Sequence, residues 1–381
     1  MASARVPIWR DDRFWKVTLQ ILAVVAVVAI ADFFLFNLRW SIARRGSGFG
    51  FDFLGSAASF DIGEHLIPFR SSDPYGRAFG VGILNSLKIM LVGLVLTTLL
   101  GIAAGVARFS QNWLLRKIVV VYVELFRNTP ILLQMLFWYF AVFSNLPKIE
   151  SRILVLDTVY LSNRGVVIPW ISQGWGVVGL GVLAIAALLT WRWRTRRLVE
   201  AGDPGRAGLY ILATFGVAAA LILLFGLGWS LPVIGTNNQV TGGLSLSAEY
   251  CSALLALVFY TGAFVAEIVR GGILAVPKGQ WEAAKALGFN NGLVMRLVVF
   301  PQALRVMVPP LTSEYLNLCK NSSLAVAIAY PEVYSVSSTI FNQTGRAVEM
   351  MLLIMATYLT IDLIIALVMN FINSMVQIKE R

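Results

Sequence analysis

The chain has 381 residues, of which 58% are hydrophobic and only 13% charged. That is far more apolar than a soluble domain of this length needs for a core, so the sequence reads as an integral membrane protein. The net charge of +11 does not point to nucleic acid, because the basic residues sit in short clusters beside apolar spans, where cytoplasmic loops of membrane proteins collect them.

Arg5, Arg10, Arg13 and Lys16 precede "VTLQILAVVAVVAIADFFLF". That run is about 20 residues, long enough to cross a bilayer. It exceeds a signal-peptide core, and no small-residue cleavage site follows, so a retained first transmembrane helix is expected. Continuing along the chain, apolar runs cover roughly 17–38, 82–107, 117–143, 175–191, 208–228, 249–269, 303–329 and 349–375. The predicted architecture is all-α and polytopic, with about eight transmembrane helices. The runs are continuously apolar and do not alternate as barrel strands would.

Loop charges give the orientation. With a cytoplasmic N-terminus, the inside loops hold Arg108, Arg116 and Lys117, then Arg192, Arg194, Arg196, Arg197 and Arg206, then Arg270, Lys278, Lys285 and Arg296, and last Lys379 and Arg381. The outside loop 228–249 has no Lys or Arg, and that near 330–346 has only Arg346. The first outside loop departs from the rule with Arg39, Arg44, Arg45, Arg70 and Arg77, but long loops obey it less well. Both termini are therefore expected in the cytoplasm.

Polar residues inside spans mark pathways or bundle pairs. In the second span Gly93, Thr97, Gly101 and Gly105 recur every fourth residue, a spacing that lets helices approach closely. "VELFRNTPILLQ" puts Glu124, Arg127, Asn128, Thr129, Pro130 and Gln134 into the third span, and Pro130 should kink or break it. The spans near 175–191 and 208–228 are almost purely apolar, joined by the basic "RWRTRRLVEAGDPGR", and read as a lipid-facing pair. "AEIVRGG" places Glu267 and Arg270 at the end of the sixth span. In "PQALRVMVPPLTSEYLNLCKNSSLAVAIA", Pro309 and Pro310 are expected to break the helix, with Glu314, Asn317, Lys320, Asn321, Ser322 and Ser323 following. A broken, polar helix is tolerated where it lines a cavity or is buried in protein. The blander reading of Glu314 and Lys320 is charge pairing that holds the bundle. Asp32 and Asp362 read as interfacial residues or bundle partners. Cys251 and Cys319 read as small core residues. The lone His65 has no Cys/His cluster beside it, so no metal site is expected.

Residues 278–301, "KGQWEAAKALGFNNGLVMRLVVFP", are too polar in their first half to span. Trp281, Ala284 and Leu287 fall at helical spacing on one face. Ala283 and Ala284 would let a partner come close, with Glu282 and Lys285 on the wet side. Gly288 can supply the left-handed turn that ends a short helix. Shape alone fits a docking helix and an interfacial helix on lipid equally.

The spacing of Glu282, Ala283, Ala284, Gly288, Val298, Phe300 and Pro301 resembles the EAA loop of ABC-importer permeases. Val298 and Phe300 stand where the family pattern has Ile and Leu. "FRNTPILLQ", "AFVAEIVRGGILAVPKGQWEAAKALG" and "NLCKNSSLA" are similar to the polar amino-acid uptake branch, and most of all to a permease subunit of general L-amino-acid importers. The resemblance covers residues 81–145 and 248–374. It implies a type I importer permease domain over 81–376, preceded by an extra helix and periplasmic loop over 1–80, with an inserted helix pair near 146–247.

The resemblance also implies transport of L-amino acids across a bacterial inner membrane. It implies a second homologous permease chain, two ATP-binding subunits and a periplasmic amino-acid-binding protein. No G-x-x-x-x-G-K-[ST] stretch occurs here, so ATP and Mg would be held by the separate ATPase. Gly279, Glu282, Ala283, Ala284, Gly288 and Pro301 are the expected coupling residues. Glu124, Arg127, Asn128, Thr129, Glu314, Lys320, Asn321, Ser322 and Ser323 are the expected substrate path, with no catalytic residue. The alternative is an ion-coupled secondary transporter or channel for small polar solutes, which would also use broken helices and buried charges.

Overall fold

The computed structural model describes residues 12–44, 48–201, 206–235 and 239–377. Arg5, Arg10, Arg45, Lys379 and Arg381 lie outside them. In chain order, α1 (Asp12–Arg44) is followed by an extended segment over 48–74 and then by α2 (Tyr75–Ala107), α3 (Trp113–Arg127) and α4 (Ile131–Leu136). A π turn (Phe137–Val142) and a 3-10 turn (Phe143–Asn145) continue α4. Next come β1 (Ile153–Val155), β2 (Val159–Ser162), β3 (Gly165–Ile168) and β4 (Trp170–Ile171), then α5 (Gly174–Ala201) and α6 (Arg206–Leu221). The chain returns through β5 (Trp229–Ser230), β6 (Val233–Ile234), β7 (Val240–Thr241) and β8 (Leu244–Ser247). The last part is α7 (Ala248–Leu274), α8 (Lys278–Ala286), α9 (Asn291–Leu293), α10 (Phe300–Asn321), α11 (Val333–Thr344) and α12 (Ala347–Val376).

Six described helices are long and apolar enough to cross a membrane, or seven when the bent pair α3 and α4 is taken as one span. The remaining apolar helix, Gly208–Leu221, is shorter. Together these account for the eight apolar runs of the sequence. The inserted region also carries small antiparallel sheets that hydropathy did not reveal. The largest has the order β1-β2-β3-β8 and joins the two ends of the insertion.

The centre of the bundle is the pairing of α2 with α7. A Cβ on Gly101 would collide with the Val265 side chain and lie 3.1 Å from the Gly262 carbonyl oxygen. At Gly105 it would lie 2.6 Å from Val269 Cβ and 2.8 Å from the Ala266 oxygen. The small-residue stripe is therefore a packing face, as its spacing indicated. Lipid is as apolar as leucine, so van der Waals fit at this closeness holds the helices together.

Pro130 behaves as expected: α3 and α4 meet at 105°. The proline pair does not. α10 runs unbroken through Pro309 and Pro310. Proline's fixed φ suits a helix, and buried Met307, Val308 and Leu311 on either side hold the backbone in place. The chain departs from α-geometry on either side of α10, in the π stretch Val294–Val299 before it and the 3-10 stretch Ser322–Ile328 after it.

Gly101→Ala should lower the melting temperature of the detergent-solubilised protein, by an overpacking cost of about 1–3 kcal/mol. Gly93→Ala should be nearly neutral, because its Cβ would sit at an ordinary 3.6 Å from Leu318. Equal effects at the two sites would contradict the packing assignment.

Candidate functional site

The loop after α7 folds back as α8. Its first turn is closed by Gln280 N–H donating to the Pro277 oxygen at 3.0 Å. At its end Gly288 takes φ +82, Gly288 N–H donates to the Lys285 oxygen (2.9 Å) and Phe289 N–H to the Ala284 oxygen (3.3 Å). This is the left-handed helix stop that a glycine permits. Asn290 then caps the next turn, its Oδ1 accepting from Leu293 N–H at 2.9 Å.

One face of α8 is held by the chain itself. Ala284 is 2% exposed, and Trp281 and Phe289 pack with Val276, Val294, Val299 and Ala303. Gln302 Nε2 donates to Gln280 Oε1 at 3.2 Å, tying α8 to α10. The other face, with Gly279, Glu282, Ala283 and Lys285, is free. Two details of the expected docking face change. Ala284 points into the core, so its small size serves internal packing. Leu287 is 75% exposed, because as C-cap it has left the helical backbone (φ −76, ψ 3) and turned off the Trp281 face. Pro301 lies exposed in the first turn of α10. The result is a short, rigid helix braced from below, offering a small-residue and charged surface.

The expected path residues fall into two groups. At the bend, several serve the backbone that Pro130 disrupts. Asn128 Nδ2 donates to the Glu124 oxygen at 2.8 Å, Thr129 Oγ1 to the Leu125 oxygen at 2.8 Å, and Gln134 Nε2 to the Phe126 and Thr129 oxygens at 3.0 Å each. Glu124 and Arg127 remain exposed. Arg127 lies 5.1 Å over the Phe264 ring and within electrostatic reach of Glu267 on α7 and Glu314 on α10. Asn317 lies beside the Glu314 carboxylate. Three helices thus bring alternating charges to one place. Arg108 NH1 and Arg270 Nε also bond Glu267, at 3.2 and 2.9 Å.

The second group is at the end of α10. Lys320, largely exposed, lies 3.8 Å from Asp362, a contact the bundle-pair reading expects. Ser322 is buried and donates to the Cys319 oxygen at 2.7 Å, and Ser323 donates to the Lys320 oxygen at 2.7 Å. These hydroxyls close the end of α10. Asn321 is half-buried beside them.

Residues overlooked in the sequence cluster at the end of the bundle away from α8. Buried Glu332 accepts from Tyr334 N–H (2.8 Å), Ser335 N–H (2.7 Å) and Tyr358 O–H (3.0 Å), capping α11. Glu64 pairs with Lys88 of α2. Lys88, a charge within an apolar span, was the available signal. Glu64 and Glu332 had none, because each lies in an irregular stretch without periodicity.

Residues 208–378 match the family described as binding-protein-dependent transport system inner membrane component. The chain is 44% identical over 377 residues to the putative amino-acid ABC transporter permease YhdX of Escherichia coli K12, covering 95% of this chain and 94% of that protein. It is 40% identical to the general L-amino acid transport system permease AapQ of Rhizobium johnstonii, over 97% of this chain and 94% of that one. It is 38% identical to the glutamate/glutamine/aspartate/asparagine permease BztB of Rhodobacter capsulatus, over 97% and 96%.

The chain belongs to the amino-acid ABC transporter permeases. It is a multi-pass membrane component and not an enzyme, the ATPase of such systems being a separate subunit. These alignments run nearly end to end in both partners.

Burial pushes the Glu332 carboxyl up from its ordinary value of 4.5 to about 7, against the opposing backbone donors at Tyr334 and Ser335. The protonated form is the one the fold favours. Its contribution is complete below the ordinary carboxyl pKa and is lost as pH rises through about 7. The melting temperature of the purified permease should therefore fall between pH 5.5 and 8.5, and Glu332→Gln, neutral throughout, should flatten that slope. An unchanged slope in the variant would remove Glu332 as its source.

Proposed function

We propose that this permease carries L-amino acids inward through an ATP-driven importer of the bacterial inner membrane. The observation that carries this reading is near full-length similarity to amino-acid permeases together with a braced, free-faced α8 bearing the EAA spacing. The complete assembly would contain a second homologous permease chain, two ATP-binding subunits holding ATP and Mg, and a periplasmic amino-acid-binding protein. α8 docks on the ATP-binding subunit through Gly279, Glu282, Ala283 and Lys285, with Gly288 and Pro301 fixing its angle and Ala284 its seat. On this reading α8 and both termini lie in the cytoplasm, and the 48–74 segment and the sheets lie outside. The permease domain proper spans 81–376, with 146–247 as its insertion and 1–80 as a preface.

Closure of the ATPase pair would draw two such helices together and rock the bundles around a central path. For the path, Arg127 and Glu314 are the strongest pair. An amino-acid zwitterion offers a carboxylate and an ammonium, and these two charges on facing helices match it. Glu124 borders them. Asn128, Thr129, Ser322 and Ser323 act through the backbone they hold, while Lys320 and Asn321 stand at the far end. The ion-coupled transporter or channel finds no support in the chain's family.

Two substitutions test the docking role. Gly288→Asp meets no neighbouring atom but forces a side chain onto φ +82, a local cost of roughly 1–2 kcal/mol. Glu282→Lys reverses an exposed charge. Both should insert normally yet lose the ATP-binding subunit in pull-downs and lose uptake. Wild-type association in both would overturn the docking role.

For the path, Arg127→Gln should keep association and lower kcat/KM for radiolabelled amino acids by about ten-fold or more, as for a hydrogen-bonded charge contact of ~1.5–3 kcal/mol. Unchanged uptake across an amino-acid panel would exclude Arg127 from the path.

A further inference from the structure

Residues 48–74 are far more than a tether between α1 and α2. They fold over the end of the bundle opposite α8. Ala58 N–H donates to the Asp73 oxygen and Ser59 N–H to the Ser71 oxygen, both at 2.8 Å, which closes the segment on itself. Its Phe53, Phe60 and Phe69 pack with Val81 of α2, Ile340 of α11 and Met350 of α12.

Glu64 is the pin. Its carboxylate forms an ion pair with Lys88 of α2 and accepts from Ser247 Oγ at the N-cap of α7. The two charged side chains are only 14% and 13% exposed. The Lys88 ammonium also sits 4.1 Å over the Tyr250 ring. Asn85 Nδ2 donates to the Glu64 carbonyl (2.8 Å) and to the Pro331 carbonyl (2.9 Å), joining the segment to the turn before α11. Beneath residues 60–64 lies a cavity of about 460 Å³, walled by Ser247 and Glu249 on one side and by Pro331, Ser335 and Thr339 on the other. The segment forms one wall of this open cavity.

A shielded ion pair is a poor way to gain static stability. Its desolvation offsets most of its attraction, and well-packed apolar side chains would do as well or better. It suits a contact that opens, because both charges are rehydrated when it separates. Lifting residues 60–64 also exposes the apolar surface of Phe60 and Ile62, so the rehydrated charges offset part of that cost.

We propose that residues 48–74 form a strap over the outer mouth of the path, and that Glu64 is a positioning residue of the transport cycle, acting through Lys88 and Ser247. While it is seated, the strap narrows the cavity from one side and ties the start of α7 to α2. Its release lifts residues 60–64 and opens the mouth. α7 runs from this pin straight into the turn before α8, so one helix of 27 residues carries the state of the docking helix to the strap. This inference rests on the transport reading above.

The test uses the whole complex, with both permease chains, the ATP-binding subunits and the binding protein, in proteoliposomes. Glu64→Gln and Lys88→Gln should each raise ATP hydrolysis in the absence of binding protein by at least about five-fold, the scale of a modest coupling energy. Each should also raise the ATP consumed per amino acid imported. The exchange Glu64→Lys with Lys88→Glu should restore the low basal rate. A merely structural role would depress hydrolysis and uptake together, and that result, or wild-type coupling in Glu64→Gln, overturns the proposal.

A second measurement leaves the ion pair intact. Spin labels at Leu66→Cys and Leu154→Cys, both exposed, report the strap against the sheet, since native Cys251 and Cys319 are buried. A longer distance population should emerge when ATP and binding protein are both bound, and an unchanged distribution overturns the strap. Pull-down of the ATP-binding subunit is read separately: its absence in the wild type overturns the transport reading and the strap together.

Discussion

The close approach of α2 and α7 is the constraint on which the rest of the bundle depends. In water, burying leucine would drive two helices together, but in lipid that drive is absent. What remains is fit, and fit here requires Gly101 and Gly105 opposite Val265 and Val269. Once these helices are locked, the ends of α7 are fixed in space. One end carries Ser247 and the sheet strand β8. The other runs through a three-residue turn into α8. α3, bent at Pro130, and α10, continuous through two prolines, then pack on this pair from opposite ends of the sequence.

How legible this was depended on how local each feature is. α8 could be read because its determinants lie within residues 278–301: a small-residue face, a glycine stop and a proline at the next helix. The Pro130 break was equally local, since one missing N–H frees carbonyls that Asn128, Thr129 and Gln134 then satisfy. Pro309 and Pro310 misled because their effect is set by burial of Met307, Val308 and Leu311, which sequence position does not reveal. Leu287 misled because helical spacing assumes a helix, and the chain had already left it. The sheets escaped notice because strands of two to four residues, such as β4 and β8, give almost no alternation to detect.

The candidate path shows the same division more sharply. Its polar residues were selected because charge and amide groups are costly in a membrane. That argument cannot separate a group that meets substrate from one that repairs a helix end. The structure shows what each one touches: Ser322, Ser323, Asn128 and Thr129 bond backbone carbonyls, and Lys320 lies 3.8 Å from Asp362. Arg127 of α3 lies within electrostatic reach of Glu314 of α10, and Glu267 is bonded by Arg108 and Arg270.

Glu64 and Glu267 occupy corresponding positions in this arrangement. Each is a carboxylate near one end of the α2–α7 pair, and each joins the two helices through a cation of α2: Lys88 at one end, Arg108 at the other. Between them the contact is close-packed around Gly101 and Gly105, with buried Thr97, Ser252 and Thr261 on the same helices. Such packing favours movement of α2 and α7 together as one body. Any motion started at α8 has to appear at the opposite end as displacement of that body against α11, α12 and the segment that bridges them. The polar contacts at that end are the ones that such a displacement would break first. In a bundle built this way, a rigid helix pair can carry a displacement at one surface to the other without a hinge inside the spans.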